Sequence, residues 1–291
     1  MLVGMKFSKI VILQSIPAGQ FEPGNALRER IQYELEQAAL PLNVEFIDCI
    51  GELEYRAELE KLANDARHKG EIPIIHTEIH GDDLGIDFSD GTVLEWSEVE
   101  GLLININIAS GFNLVAIFSA CFGAYYMKTL VATRTASCFA LVGPTEKLQP
   151  NEILQPFFDF YSTLFRTADL GLAIGAISKF QLMQGRWIGK SAEELFEEQI
   201  NRYIDQFCTE EYFPTRLSEL QRQAEADGKE VDPIELKRVL RQLNRKNISQ
   251  GFFDRYFCVE KIPANRARFA DLSKRVNYRL NSLISSGGYV L

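Results

Sequence analysis

Two residues of this chain have types and positions suited to covalent chemistry, Cys121 and His80. Each is read at the end of an apolar run. Ile72 to His80 (IPIIHTEIH) closes on His80-Gly81, and Asn113 to Ser119 (NLVAIFS) runs into Ala120-Cys121-Phe122-Gly123. In open α/β sheets, sites form at the carboxyl ends of the parallel strands. A cysteine and a histidine at the tips of neighbouring strands can reach one point in space. The thiol then supplies a nucleophile and the imidazole moves a proton. The other cysteines read as packing residues: Cys49 and Cys138 within apolar strands, Cys208 and Cys258 in the tail with no histidine nearby. His76 shares a strand face with His80 and reads as a satisfied structural histidine; His68, at a helix end, reads as solvated. No C-x-x-C spacing is present, and no metal is expected. No phosphate-loop or early dinucleotide glycine motif is present either, so no cofactor is expected.

The elements that must position this pair follow from hydrophobic period and punctuation. Lys9 to Ile16, Val44 to Ile50 and Ile72 to His80 read as strands. Between them, Pro23 to Leu40, with Asn25 as cap, and Glu52 to Lys69, stopped by Gly70, read as helices. That alternation predicts a parallel sheet built by right-handed crossovers. Leu84 to Phe88 and Thr92 to Trp96 flank Ser89-Asp90-Gly91, a hairpin signal. Ser97 reads as the cap of a helix through Ile106, with Glu100 in the capping-box position. Asn113 to Ser119 and Ser137 to Val142 read as the fourth and fifth strands, with a helix (AYYMKTLV) between them. Asn151 to Phe165 and Leu170 to Lys179 read as helices on the sheet. Beyond Ser191 the chain reads as helical, with helices at Ala192 to Phe207, Pro214 to Ala226, Pro233 to Lys246 and Asn265 to Leu283.

His80-Gly81, the Asp-Gly hairpin, the capped helix and the apolar strand closing on Ser119-Ala120-Cys121-Phe122-Gly123 together resemble the caspase-like cysteine peptidases. That group includes caspases, metacaspases, separases and the bacterial CHAT-type proteases. The 41 residues from His80 to Cys121 agree with it, as does the stretch from Phe157 to Ala176. The resemblance covers residues 5 to 180 and implies an α/β fold, a mainly parallel sheet flanked by helices. It divides the chain into a peptidase domain, 1–180, and a helical C-terminal extension, 181–291, that regulates it or recruits substrate. It implies that Cys121 attacks a peptide carbonyl to form a thioester acyl-enzyme and that His80 acts as acid and base. The backbone N–H groups of Gly81 and Cys121 would form the oxyanion hole, each worth about 3 kcal/mol. Where caspases carry Gln and Arg around the nucleophile this chain has Ser119 and Phe122, so aspartate specificity is not expected. Glu78 to Glu100 holds eight acidic residues and no Lys or Arg. A basic residue is therefore expected on the amino side of the cleaved bond, with Asp82, Asp83 and Ser119 as secondary candidates for contacting it. The rival readings are a catalytically inactive caspase-like binding or scaffold module and a doubly wound sensor domain.

Charge separates the two parts. Of 40 acidic and 31 basic side chains, residues 1 to 180 hold 24 and 13, leaving 16 and 18 for the tail. The acidic front disfavours nucleic-acid binding, and residues 234 to 279 carry 12 basic against 4 acidic side chains. Lys237, Arg238, Arg241, Arg245 and Lys246 near Phe252, Phe253, Tyr256 and Phe257 suggest a site for a small signalling nucleotide. Proteases of this group serve in antiviral defence or cell death, switched on by such a nucleotide or by a partner protein. No apolar stretch has membrane-spanning quality and no cleavable leader is read. The expected setting is the reducing cytoplasm, where all five cysteines stay free.

Overall fold

The computed structural model describes residues 6–119, 123–146, 148, 150–179, 187–228, 230, 232–287 and 289. The chain divides into two compact units, one of residues 1–130 and 136–192, the other of residues 131–135 and 193–291.

The first unit is α/β. Seven consecutive buried residues form β1 (Lys9–Ser15), which places it in the middle of a sheet. Pro23 presets the first turn of α1 (Pro23–Gln37), whose Leu27, Ile31 and Leu35 make one buried stripe. Then come β2 (Asn43–Asp48) and α2 (Glu52–Lys69), the latter acidic in its first turn, basic in its last and ended by Gly70 at φ 69°. β3 (Pro73–Gly81) is followed by the short strands β4 (Gly85–Asp87) and β5 (Val93–Glu95) and by α3 (Trp96–Ala109). After β6 (Val115–Ser119) a 3-10 helix, Gly123–Lys128, precedes β7 (Ala140–Pro144). Two helices, α4 (Pro150–Thr167) and α5 (Leu170–Ser178), lead to β8 (Trp187–Ser191).

The main sheet has the order β2-β1-β3-β6-β7-β8, parallel throughout except for the last pair. β4 and β5 extend antiparallel from the end of β3. α1 and α4 pack together, as do α2 and α3. β3 shows which pair covers which face. Its odd-numbered Thr77 hydrogen-bonds Tyr55 of α2 at 3.1 Å, whereas its even-numbered His76 meets Tyr161 of α4 at 3.1 Å. Successive residues of a strand alternate faces, so Glu78 and His80 also lie on the α4 side.

Several local expectations need correction. Asn25 does not cap α1: Glu22 precedes the helix, and the Gln14 carboxamide takes the Gly24 N–H at 3.0 Å. Ser97 does not cap α3, which starts one residue earlier. Trp96 is anchored there by its own N–H to the Leu84 carbonyl and its indole N–H to the Asp82 carbonyl. Glu100 is buried in α3 instead of closing a capping box. The helix expected after Gly123 is a single 3-10 segment, and β7 starts three residues later than expected, leaving Ser137 and Cys138 outside it. β8 was not anticipated. It belongs to the first unit's sheet although it follows residue 180, and its three central residues are only partly buried.

The second unit consists mainly of helices: α6 (Ala192–Phe207), which begins at the last residue of the first unit, α7 (Phe213–Ala226), α8 (Pro233–Lys246), α9 (Phe252–Tyr256), α10 (Asn265–Arg268) and α11 (Ala270–Ser286). A π-helical turn, Asn247–Gly251, joins α8 to α9. Phe253, Tyr256 and Phe257 ring Phe196 at 5.1–6.1 Å between centroids, and Phe252 packs on Tyr203. Among the described residues no helix is long and apolar enough to cross a membrane.

Candidate functional site

The carboxyl ends of β1, β3 and β6 lie side by side, and His80, Gly81 and Ser119 lie at the ends of β3 and β6. β3 and β6 pair in parallel register from Ile74↔Val115 to Glu78↔Ser119. His80 therefore lies two residues beyond a paired position on β3, and Cys121 two residues beyond its partner in sequence. Cys121 itself, with Ala120 and Phe122, lies outside the described residues. Gly123 returns to the end of β6: a Cβ there would stand 2.8 Å from the Phe118 carbonyl oxygen, so only glycine fits.

His80 is half-buried and held by the loop after β1. Its Nε2 lies 2.7 Å from Gln20 Oε1. With the carboxamide oxygen facing the ring, Nε2 carries the proton and Nδ1 is the basic nitrogen. Asp87 of β4 stands directly across from His80 in the antiparallel pair, and directly opposed side chains share a face. Burial pushes the Asp87 carboxyl above its ordinary value; the Asp82 charge adds to the rise and His80 opposes it.

Gly81 ends β3 opposite Ile86. The Asp82 N–H donates to the Gly85 carbonyl at 3.1 Å, which fixes the alternation of the ladder. On that alternation the Gly81 N–H points away from β4, to the side on which β6 lies. Asp82 is committed to its turn: its carboxylate accepts the N–H groups of Leu84 at 2.7 Å and Gly85 at 3.1 Å. Asp83 is exposed in the same turn.

Deeper on the same face is a buried polar series. Tyr161 OH lies 3.1 Å from His76 Nδ1, and His76 Nε2 lies 2.9 Å from Glu78 Oε1. His76 is fully buried and edge-on to Phe157, a satisfied core histidine with no contact to His80. Burial, reinforced by the Glu78 charge, pushes the Tyr161 hydroxyl well above its ordinary value. Glu78 Oε2 and Ser119 Oγ, both buried, have no hydrogen-bond partner among the described residues.

The four described thiols are buried and free. Burial, aided by Glu58, Glu54 and Asp48, pushes Cys49 up to about 12. Burial does the same to Cys138 and Cys208, and raises Cys258 as well. Among the described residues no group of His, Cys, Asp and Glu could hold a metal ion.

In the second unit, the rings that seemed available for stacking on a nucleotide are core residues: Phe252, Phe253, Tyr256 and Phe257 are all buried. Arg238 is paired with Glu235, and Arg241 lies over the Phe213 ring.

Sequence reading missed Gln20, Asp87 and Glu78. Gln20 and Asp87 meet His80 through a loop and a two-residue turn that carry no strong motif. Glu78 was accessible in principle, because strand alternation alone puts residues 76, 78 and 80 on one face. No protein-family model and no curated protein matches the chain.

Proposed function

We propose that the chain is a cysteine endopeptidase of the caspase-like group, with Cys121 as nucleophile and His80 as general acid and base. The observation that supports this most is the adjacency of β3 and β6, in parallel register up to the residues just before His80 and Cys121. In this reading the Cys121 thiolate attacks the scissile carbonyl carbon. The N–H groups of Gly81 and Cys121 stabilise the oxyanion. The tetrahedral intermediate collapses as His80 gives a proton to the leaving amine, forming a thioester. His80 then takes a proton from water, whose oxygen attacks the thioester carbonyl and releases the acid and the thiol. Gln20 supports the role of His80 by holding Nε2 and leaving Nδ1 to exchange protons. The acidic surroundings of His80, with Asp82, Asp83 and Asp87, favour a substrate with Arg or Lys on the amino side of the cleaved bond.

The helical unit regulates the enzyme or recruits its substrate, as in an antiviral or cell-death effector. An anionic activator there would be held by cations and not by stacking, since the neighbouring rings are buried. The decisive experiment compares Cys121→Ala with wild type for proteolysis of a peptide library and for toxicity on expression. Loss of both in the variant is expected. Unchanged proteolysis would end this reading and leave a non-catalytic binding module in its place.

A further inference from the structure

We infer that Glu78 and Ser119 form the floor of a binding site for a cationic side chain, a guanidinium or alkylammonium, at the carboxyl edge of β3 and β6. This deepens the proposed function, because it makes that cation the substrate residue next to the cleaved bond. The two residues are register partners on adjacent strands and face the same side of the sheet. Glu78 is 1% exposed and Ser119 4%. Glu78 Oε1 takes the His76 Nε2–H, and Tyr161 O–H can close the series on His76 Nδ1. That arrangement fixes the carboxylate on one oxygen and leaves the other, Oε2, without a partner, as it leaves Ser119 Oγ.

A buried carboxylate oxygen with nothing to accept from is costly, and such atoms in a folded chain call for an explanation. Here one oxygen is held by His76 and the other is buried and unpaired. Along this face exposure rises from His76 through Glu78 to His80, which is part-exposed, so the unpaired oxygen belongs to a residue one pleat below the rim. The hairpin that follows β3 adds acidic side chains at this edge. Asp87 and Asp82 lie near enough to each other for the Asp82 charge to raise the Asp87 carboxyl. No Lys or Arg occurs between residues 78 and 100. A planar guanidinium or an ammonium can donate to Glu78 Oε2 and Ser119 Oγ together and neutralise the buried charge. This also relocates the recognition first assigned to Asp82, whose carboxylate is spent on backbone N–H groups.

The test uses full-length protein and small probes, n-butylguanidinium and benzamidine, with n-butylurea as the uncharged control. Wild type should bind both cations by calorimetry and be stabilised thermally by them, and should ignore the urea. Glu78→Gln keeps the shape of a protonated acid without its charge, and should weaken binding at least about tenfold. If that variant fails to fold, Ser119→Ala reads the same site and should weaken binding severalfold. No binding to wild type, or equal binding to a folded Glu78→Gln protein, overturns the inference. A parallel cleavage profile separates the two ideas. Cation binding without proteolysis keeps the site and removes the peptidase. Proteolysis indifferent to basic residues does the reverse.

Discussion

At the scale of single residues, the four described thiols are all buried. Buried thiols held near 12, as at Cys49, Cys138 and Cys208, are ionised at pH 7.5 to the extent of about one in 30,000, and only the thiolate is reactive. Brief alkylation of native protein with iodoacetamide should therefore label Cys121 and spare the other four. Peptide mapping by mass spectrometry reads this directly, and labelling spread over several cysteines would contradict it. Asp87 gives a second prediction of definite sign. A carboxyl raised on folding destabilises the native state above its folded pKa and is neutral below the unfolded one, about 3.9. Asp87→Asn should thus raise Tm at pH 7, with the gain fading as pH falls toward 4. It should also lower kcat/KM about tenfold, because the group across from His80 no longer steadies a protonated imidazole. A lower Tm at pH 7 would show that burial is not what shifts this carboxyl. These residues also mark how far the site was legible. His80, Gly81 and Ser119 could be read because strand ends announce themselves by apolar runs meeting glycine. Asp87 and Gln20 could not, because they reach His80 only after a two-residue turn and a loop have closed.

At the scale of elements, the strongest periodicities fared best. α2 was expected over Glu52 to Lys69 and occupies those residues, because end charges, buried stripe and Gly70 all point to the same boundaries. β8 was missed because a five-residue strand with a partly buried centre has no period to detect. The two glycine positions differ in what they predict. Gly70 faces open space, so Gly70→Ala should cost only the left-handed conformation, about 1 kcal/mol. A Cβ on Gly123 would stand 2.8 Å from both the Phe118 carbonyl oxygen and its Cβ, so Gly123→Ala forces backbone movement and should cost about 1–3 kcal/mol. It should also depress activity out of proportion to stability, because Gly123 anchors the segment that follows Cys121. Urea denaturation beside peptide turnover separates the two effects, and equal losses of activity for equal losses of stability would argue that Gly123 serves packing alone.

At the scale of the molecule, the chain is interleaved. Residues 131–135 come shortly after the 3-10 helix that follows Cys121, yet they belong to the second unit. They are held there by hydrogen bonds. Arg255 donates to the Thr133 carbonyl at 3.0 Å, Thr135 donates to the Arg255 carbonyl at 3.3 Å, and the Gln199 carboxamide accepts the Ala132 N–H. Nothing in composition or spacing announces this, because it depends on long-range pairing between residues more than sixty positions apart. The second unit holds a loop that begins ten positions after the candidate nucleophile in sequence. Arg255 is exposed and its head group contributes one hydrogen bond to this grip, so Arg255→Ala should change global stability by no more than about 1 kcal/mol. It should nevertheless speed limited proteolysis within residues 131–135 and lower peptide turnover severalfold. Unaltered nicking and unaltered turnover in a stable Arg255→Ala protein would mean that the second unit does not constrain the site through this loop.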